Sequence, residues 1–186
     1  RPTRRGVTHV DATGERTITV VGERMAPLAS DPLPWEQLED VGGVYFTAGD
    51  AGALKTARAA RALVATSRVV PLLMEAGVEL DALVGSALDP SEAYRSGQLQ
   101  PPPHLVVRTE GARGGTFETG GQRGHFAASE VPGPVVDRYG AGDSFAAGLT
   151  FALATRLPPQ EAVEFAARCG AAALTGRGPF GGQLSE

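Results

Sequence analysis

The 186 residues contain no asparagine, one lysine (Lys55) and one cysteine (Cys169). A lone cysteine excludes an intrachain disulfide framework. The three histidines, His9, His104 and His125, lack the spacing of a structural metal site. Cys169 falls in a stretch of helical periodicity and is expected to be a small core residue in a reducing compartment. No apolar run approaches the length of about 18 residues needed for a spanning helix, and no signal-peptide pattern occurs. A soluble, cytoplasmic protein with no membrane partner is therefore expected. The formal charge of −4 and a pI near 5.4 argue against nucleic acid as a partner. Arginine almost wholly replaces lysine alongside much alanine, glycine and proline, a coding bias that carries no functional signal.

The most informative stretch runs Val135-Val136-Asp137-Arg138-Tyr139-Gly140-Ala141-Gly142-Asp143-Ser144-Phe145 and on to Leu149. It opens apolar and extended, turns through two glycines, and enters a helix expected to start near Asp143. Glycines at a helix entrance let main-chain N–H groups face a ligand where the helix dipole favours negative charge. Asp143 does not suit a plain anion site, because its carboxylate would repel a phosphate. As a base that accepts a proton from an attacking hydroxyl, it fits. The competing reading is a tight turn in which Asp143 is only an N-cap. Phe145 stands where a dinucleotide-binding turn needs a small residue, and no lysine follows the loop, so neither a dinucleotide fingerprint nor a Walker P-loop is present.

The string Asp137 to Phe145 resembles the C-terminal signature of the ribokinase-like carbohydrate kinases, the phosphofructokinase B family, written Asp-Thr-x-Gly-Ala-Gly-Asp-x-Phe. It departs from that pattern only at Arg138, where threonine is usual. The resemblance implies an α/β fold with a mainly parallel sheet and helices on both faces. It also implies ATP and Mg²⁺, a small-molecule sugar acceptor, and room for a monovalent cation (K⁺) and a homodimer. After the turn at Gly140, the main-chain N–H groups of Ala141, Gly142 and Asp143 would form the anion hole, Asp143 would be the base, and Asp137 would help to build the cation site, the alternative being a turn residue that pairs with Arg138.

Read along the chain, Val7–Val21 forms a β-hairpin with a four-residue turn at Ala12–Glu15. The resemblance places this hairpin, residues 7–22, in the family's lid region, with residues 40–186 as the nucleotide-binding core of one domain. Short apolar runs at Val44–Thr47, Ala62–Thr66, Asp81–Ser86 and His104–Thr109 alternate with helical periods at Asp50–Ala60 and Val70–Ala76. Asp89-Pro90-Ser91-Glu92 reads as the start of another helix. Gly115–Thr119 and Gln122–Ala128 read as antiparallel strands. The signature helix runs to about Ala154, Pro158-Pro159 opens a last helix, and Gly176–Gly182 reads as a flexible loop. Such alternation implies a mainly parallel sheet covered on both faces.

Three further stretches are expected at the carboxyl ends of the strands, where ligands gather in such sheets. The segment Thr109-Glu110-Gly111-Ala112-Arg113-Gly114 resembles the family's phosphate-side turn, with Thr109, Gly111 and Gly114 against the nucleotide. After Asp81, in-register counting puts Ser86 and Asp89 at the family's Asn-x-x-Glu positions, with Glu92 a turn further on. Either carboxylate suits a hydrated Mg²⁺, and the alternative is that Asp89 caps a helix with Glu92 as its capping-box partner. The glycine-rich end, with Gly176 and Gly178, resembles the loop that closes over adenine. The family's first sugar-contacting strand and Gly-Gly signature are not found, so the chain reads as the C-terminal part of a longer kinase. The function implied is ATP-dependent phosphorylation of a sugar hydroxymethyl group. A nucleoside kinase of the same family and a non-catalytic nucleotide-binding fragment are the alternatives.

Overall fold

The computed structural model describes residues 3–10, 16–23 and 25–184. Its organising element is a six-stranded sheet in the order β3-β4-β5-β6-β7-β8. These strands are Gly43–Phe46, Ala62–Thr66, Ala82–Ser86, Leu105–Thr109, Gly115–Thr119 and Gln122–Phe126. The first four run parallel, and β6, β7 and β8 are antiparallel neighbours. Strand β4 is buried at every position, as expected of a short continuous apolar run covered on both faces. The hairpin β1 (Arg5–Val10) and β2 (Arg16–Val21) stands apart as a two-stranded antiparallel sheet. Its turn, expected at Ala12–Glu15, lies outside the described residues.

Helices cover both faces, as the alternation implied. On one face, α1 (Ala51–Ala57) and α2 (Val70–Ala76) bring Leu54 and Leu73 against Phe46, Leu63 and Leu83. Helix α1 begins where expected, because the Asp50 carboxylate accepts the Ala53 N–H at 2.7 Å. On the other face, α3 (Ala141–Ala154) and α4 (Pro159–Ala173) pack Phe145, Leu149 and Val163 against Val64, Val84, Val107 and Phe126. Full burial of a leucine such as Leu149 contributes about 1.5–3 kcal/mol. Cys169 lies half-buried on α4, and burial raises its thiol pKa, which fits a packing role.

Two boundaries differ from expectation for physical reasons. The helix expected from Asp89 is only a 3-10 turn at Pro90–Glu92. Asp89 caps it, but Gly97 and Pro101-Pro102-Pro103 follow without an apolar period to propagate it. Helix α3 starts at Ala141, two residues before Asp143, because Gly140 adopts a left-handed conformation (φ 86°) and is its N-cap. The Val135–Tyr139 segment before it joins no ladder, and is held instead by the Val136 N–H donating to the Leu174 carbonyl at 2.8 Å.

Among the described residues no strand pairs with the outer edge of β3, although β3 is a parallel strand under α3. An open parallel edge leaves backbone groups unpaired and part of one face uncovered. The 186-residue chain by itself is therefore expected to melt early and with poor cooperativity. Circular dichroism on heating tests this, and a sharp transition in the range of ordinary domains would contradict it.

Candidate active site

The carboxyl ends of β3 to β6 and the start of α3 gather the expected residues into two neighbouring groups. The first centres on α3. Ser144 N donates to Gly140 O at 2.8 Å, which begins the helical ladder. The N–H groups of Ala141, Gly142 and Asp143 precede that bond and have no intrahelical acceptor. A side chain at Gly140 would meet Pro179 Cβ at 2.8 Å, so glycine is required there by packing as well as by φ. Gly142 differs, because a Cβ built there meets nothing within 4 Å. A helical glycine costs about 0.8–1 kcal/mol relative to alanine. Its own fold does not demand one at position 142, whereas close approach of an anion to the main chain would. Asp143 is exposed in the first helical turn, three residues past the cap. It is therefore not the N-cap, and that alternative is removed.

The C-terminal segment closes against this group. Asp137 accepts from Tyr139 N at 2.9 Å and from Gly178 N at 3.0 Å, tying the signature loop to the glycine-rich end. Gly176 is buried, and a side chain there would strike the Gly181–Gly182 backbone. The expected flexible loop is thus a series of turns folded back on residues 137–140.

The second group lies at the ends of β4, β5 and β6. Ala87 N donates to Thr109 O at 2.9 Å, which binds the segment after β5 to the end of β6. Gly111 and Gly114 shape the turn beyond Thr109, with Gly114 N donating to Gly111 O at 3.0 Å. Glu92 folds back so that its carboxylate accepts from Ser86 N at 2.7 Å and from Arg68 Nε at 2.7 Å. Arg68 Nη2 also reaches Asp89 at 3.4 Å. Asp89 caps its turn by accepting from Ser91 N at 2.9 Å, and these Ser91 bonds hold its carboxyl below the usual range. Half of the capping-box alternative is therefore present, but Glu92 reaches Ser86 and not the Asp89 N–H. Beneath this segment a cleft of about 300 Å³ is bordered by Ser67, Gly85, Ser86 and Glu92.

The two groups act on each other through Tyr45 and Arg68. Burial raises the Tyr45 phenol to about 12, and the charge of Asp143 adds to the effect. Arg68 feels Asp143 as well as its two carboxylate partners. The fit to ATP rests on the open α3 N-terminus and the bare Gly142. For a metal the fit is partial. No set of three His, Cys, Asp or Glu side chains among the described residues is arranged to hold an ion, so Asp89, Glu92 and Asp137 do not form one ligand set. Sequence reasoning missed Tyr45 and Arg68. The one available signal for Arg68 was a charged residue just past the carboxyl end of a buried strand.

The model of the pfkB family carbohydrate kinases matches residues 58–182. No curated protein sequence matches significantly. Among solved structures, ribokinase from Thermotoga maritima superposes with a TM-score of 0.73 at 21% identity, covering 96% of this chain and 65% of that one. A Methanocaldococcus jannaschii nucleoside kinase of the ribokinase family gives 0.71 at 14% identity, covering 97% and 64%. A putative ribokinase II from E. coli, in complex with ATP and Mg²⁺, gives 0.68 at 19% identity, covering 96% and 67%. The fold is therefore the ribokinase fold, and the chain spans about 65% of the length of the Thermotoga ribokinase.

Two measurements probe the geometry itself. Gly142→Ala is expected to hold or raise thermal stability, since nothing crowds the site, while weakening binding of a triphosphate by about tenfold or more. In a near-ultraviolet alkaline titration, the phenolate step near pH 12 is expected to vanish in Tyr45→Phe. The unfolded chain gives up that proton nearer pH 10, so the neutral phenol supports the fold below about 10 and loses that contribution as pH rises toward 12.

Proposed function

Because the chain belongs to the pfkB family of carbohydrate kinases, we propose that the whole protein transfers the γ-phosphoryl group of ATP to a hydroxymethyl group of a carbohydrate. The observation that carries this reading is the start of α3. N–H groups without an intrahelical acceptor, a glycine with open space beside it, and a first-turn carboxylate occur within three consecutive residues. In this reading Asp143 accepts the hydroxyl proton as the acceptor oxygen attacks in line. The N–H groups of Ala141, Gly142 and Asp143 stabilise the charge on the transferred oxygens, without needing to reorganise during the step. Thr109, Gly111 and Gly114 border the phosphates, and Gly176 and Gly178 lie in the segment that closes over the base.

A divalent metal, when bound, neutralises phosphate charge, and Glu92 and Asp89 are the residues that would hold it or its waters. Asp137 would contribute to a monovalent-cation site, with potassium the candidate. A cytoplasmic homodimer belongs to the same reading. A nucleoside acceptor is retained as a second reading, because the nucleoside-kinase fold matches nearly as well as that of ribokinase.

An ADP-coupled assay of full-length protein over a panel of pentoses, hexoses and nucleosides tests the reading and sorts the acceptors. Silence across the panel in a folded preparation that still binds ATP would leave a nucleotide-binding module instead. Asp143→Asn is expected to lower turnover by about 10²–10⁴-fold while triphosphate affinity holds or rises, because a repelling charge is gone. Turnover within a few-fold of the parent would remove Asp143 from the mechanism.

A further inference from the structure

Arg68 is the residue that the proposed chemistry does not use. It follows the buried end of β4 in a short 3-10 turn, and its side chain is 62% exposed. Its guanidinium contacts Glu92 through both Nε and Nη2 at 2.7 Å, and Asp89 through Nη2 at 3.4 Å. Glu92 is much more enclosed, with its side chain 11% exposed, and its second oxygen is taken by Ser86 N. The backbone on both sides is anchored, because Ser67 Oγ donates to Glu92 O at 2.8 Å. The two carboxylates best placed to serve a divalent ion are thus already paired with one exposed cation on the same rim of the sheet.

Resting on the kinase reading, we propose that Arg68 is an internal counterion that occupies the Glu92–Asp89 site until a metal-bearing triphosphate arrives, and then turns to the phosphates. The geometry allows the exchange because the held partner is fixed and the holder is not. Glu92 is pinned by Ser86 and by its own enclosed position, whereas an exposed arginine side chain swings at little cost. A guanidinium also matches phosphate oxygens as well as it matches a carboxylate, with paired N–H donors. In the resting arrangement Arg68 keeps two like charges from repelling one another beside Asp143. With phosphates present, a new anion competes for the guanidinium while a divalent cation competes for Glu92. Each replacement favours the other, which is reciprocal coupling between metal and nucleotide.

The test uses full-length protein and two readouts that do not depend on turnover. Mn²⁺ binding without nucleotide is followed by loss of the free-ion paramagnetic resonance signal. Binding of a non-hydrolysable ATP analogue with Mg²⁺ is followed by calorimetry. Arg68→Gln is expected to bind Mn²⁺ about three- to tenfold more tightly and the analogue about tenfold more weakly. Arg68→Lys keeps the charge but not the two-point grip, so Mn²⁺ binding should tighten while analogue binding stays within a few-fold of the parent. Unchanged or weaker Mn²⁺ binding in both variants would overturn the proposal, as would undiminished analogue binding in Arg68→Gln. A parent protein that shows this exchange but phosphorylates no acceptor would sink the kinase reading and leave the counterion role standing.

Discussion

The site depends on one local conformation, the left-handed turn at Gly140 that starts α3 with its first N–H groups facing outward. That turn needs the glycine φ, and Pro179 packs where a side chain would otherwise stand. The C-terminal turns therefore pack against the candidate site, tied to it by the Gly178–Asp137 hydrogen bond. Behind the turn, Phe145 stacks on Phe126 with ring centroids 5.7 Å apart, so the helix start is fixed to the antiparallel edge of the sheet. A cradle for an anion works only if its donors do not move when charge develops. Burial of Phe145 and Leu149 behind an exposed Asp143 provides that rigidity.

Charge at the rim is only partly offset by the protein's own cations. Asp143, Glu92 and Asp89 bring three negative charges to neighbouring positions, and Arg68 is the cation that faces two of them. The Tyr45 phenol is pushed up by burial first, and the charges of Asp143 and Glu92 add to the effect. The consequence is a site poised to receive cationic charge from outside, as a triphosphate brings with its metal.

Much of this was legible in the sequence, for identifiable reasons. Strands β4 to β6 announced themselves as short apolar runs because both faces are buried, and α1 through its Asp50 cap. The glycine turn into α3 was legible because two glycines break the extended run just before a helical period. The turn at Asp89 was misread as a helix because its cap and proline are the same at the start of a helix or of a single turn. Only the missing apolar period after Glu92 separates the two. Tyr45 had no local signal and Arg68 only its place just past a buried strand, because their position relative to α3 is set by sheet order.

The open edge of β3 bears on how the site acquires an acceptor. Tyr45 and Phe46 lie on this outermost parallel strand, and Tyr45 faces the α3 side of the sheet close to Asp143. A neighbouring strand paired there would carry its own residues to the same carboxyl rim, because parallel strands end together. Side chains from such a strand would stand across from Asp143, on the side away from Thr109 and Gly111. The nucleotide-facing and acceptor-facing halves of the site would then meet at Asp143. A carboxylate exposed in this chain would become enclosed once that edge is covered, and in the proposed reading a base at that junction would touch both reactants while each half of the sheet supplies only one.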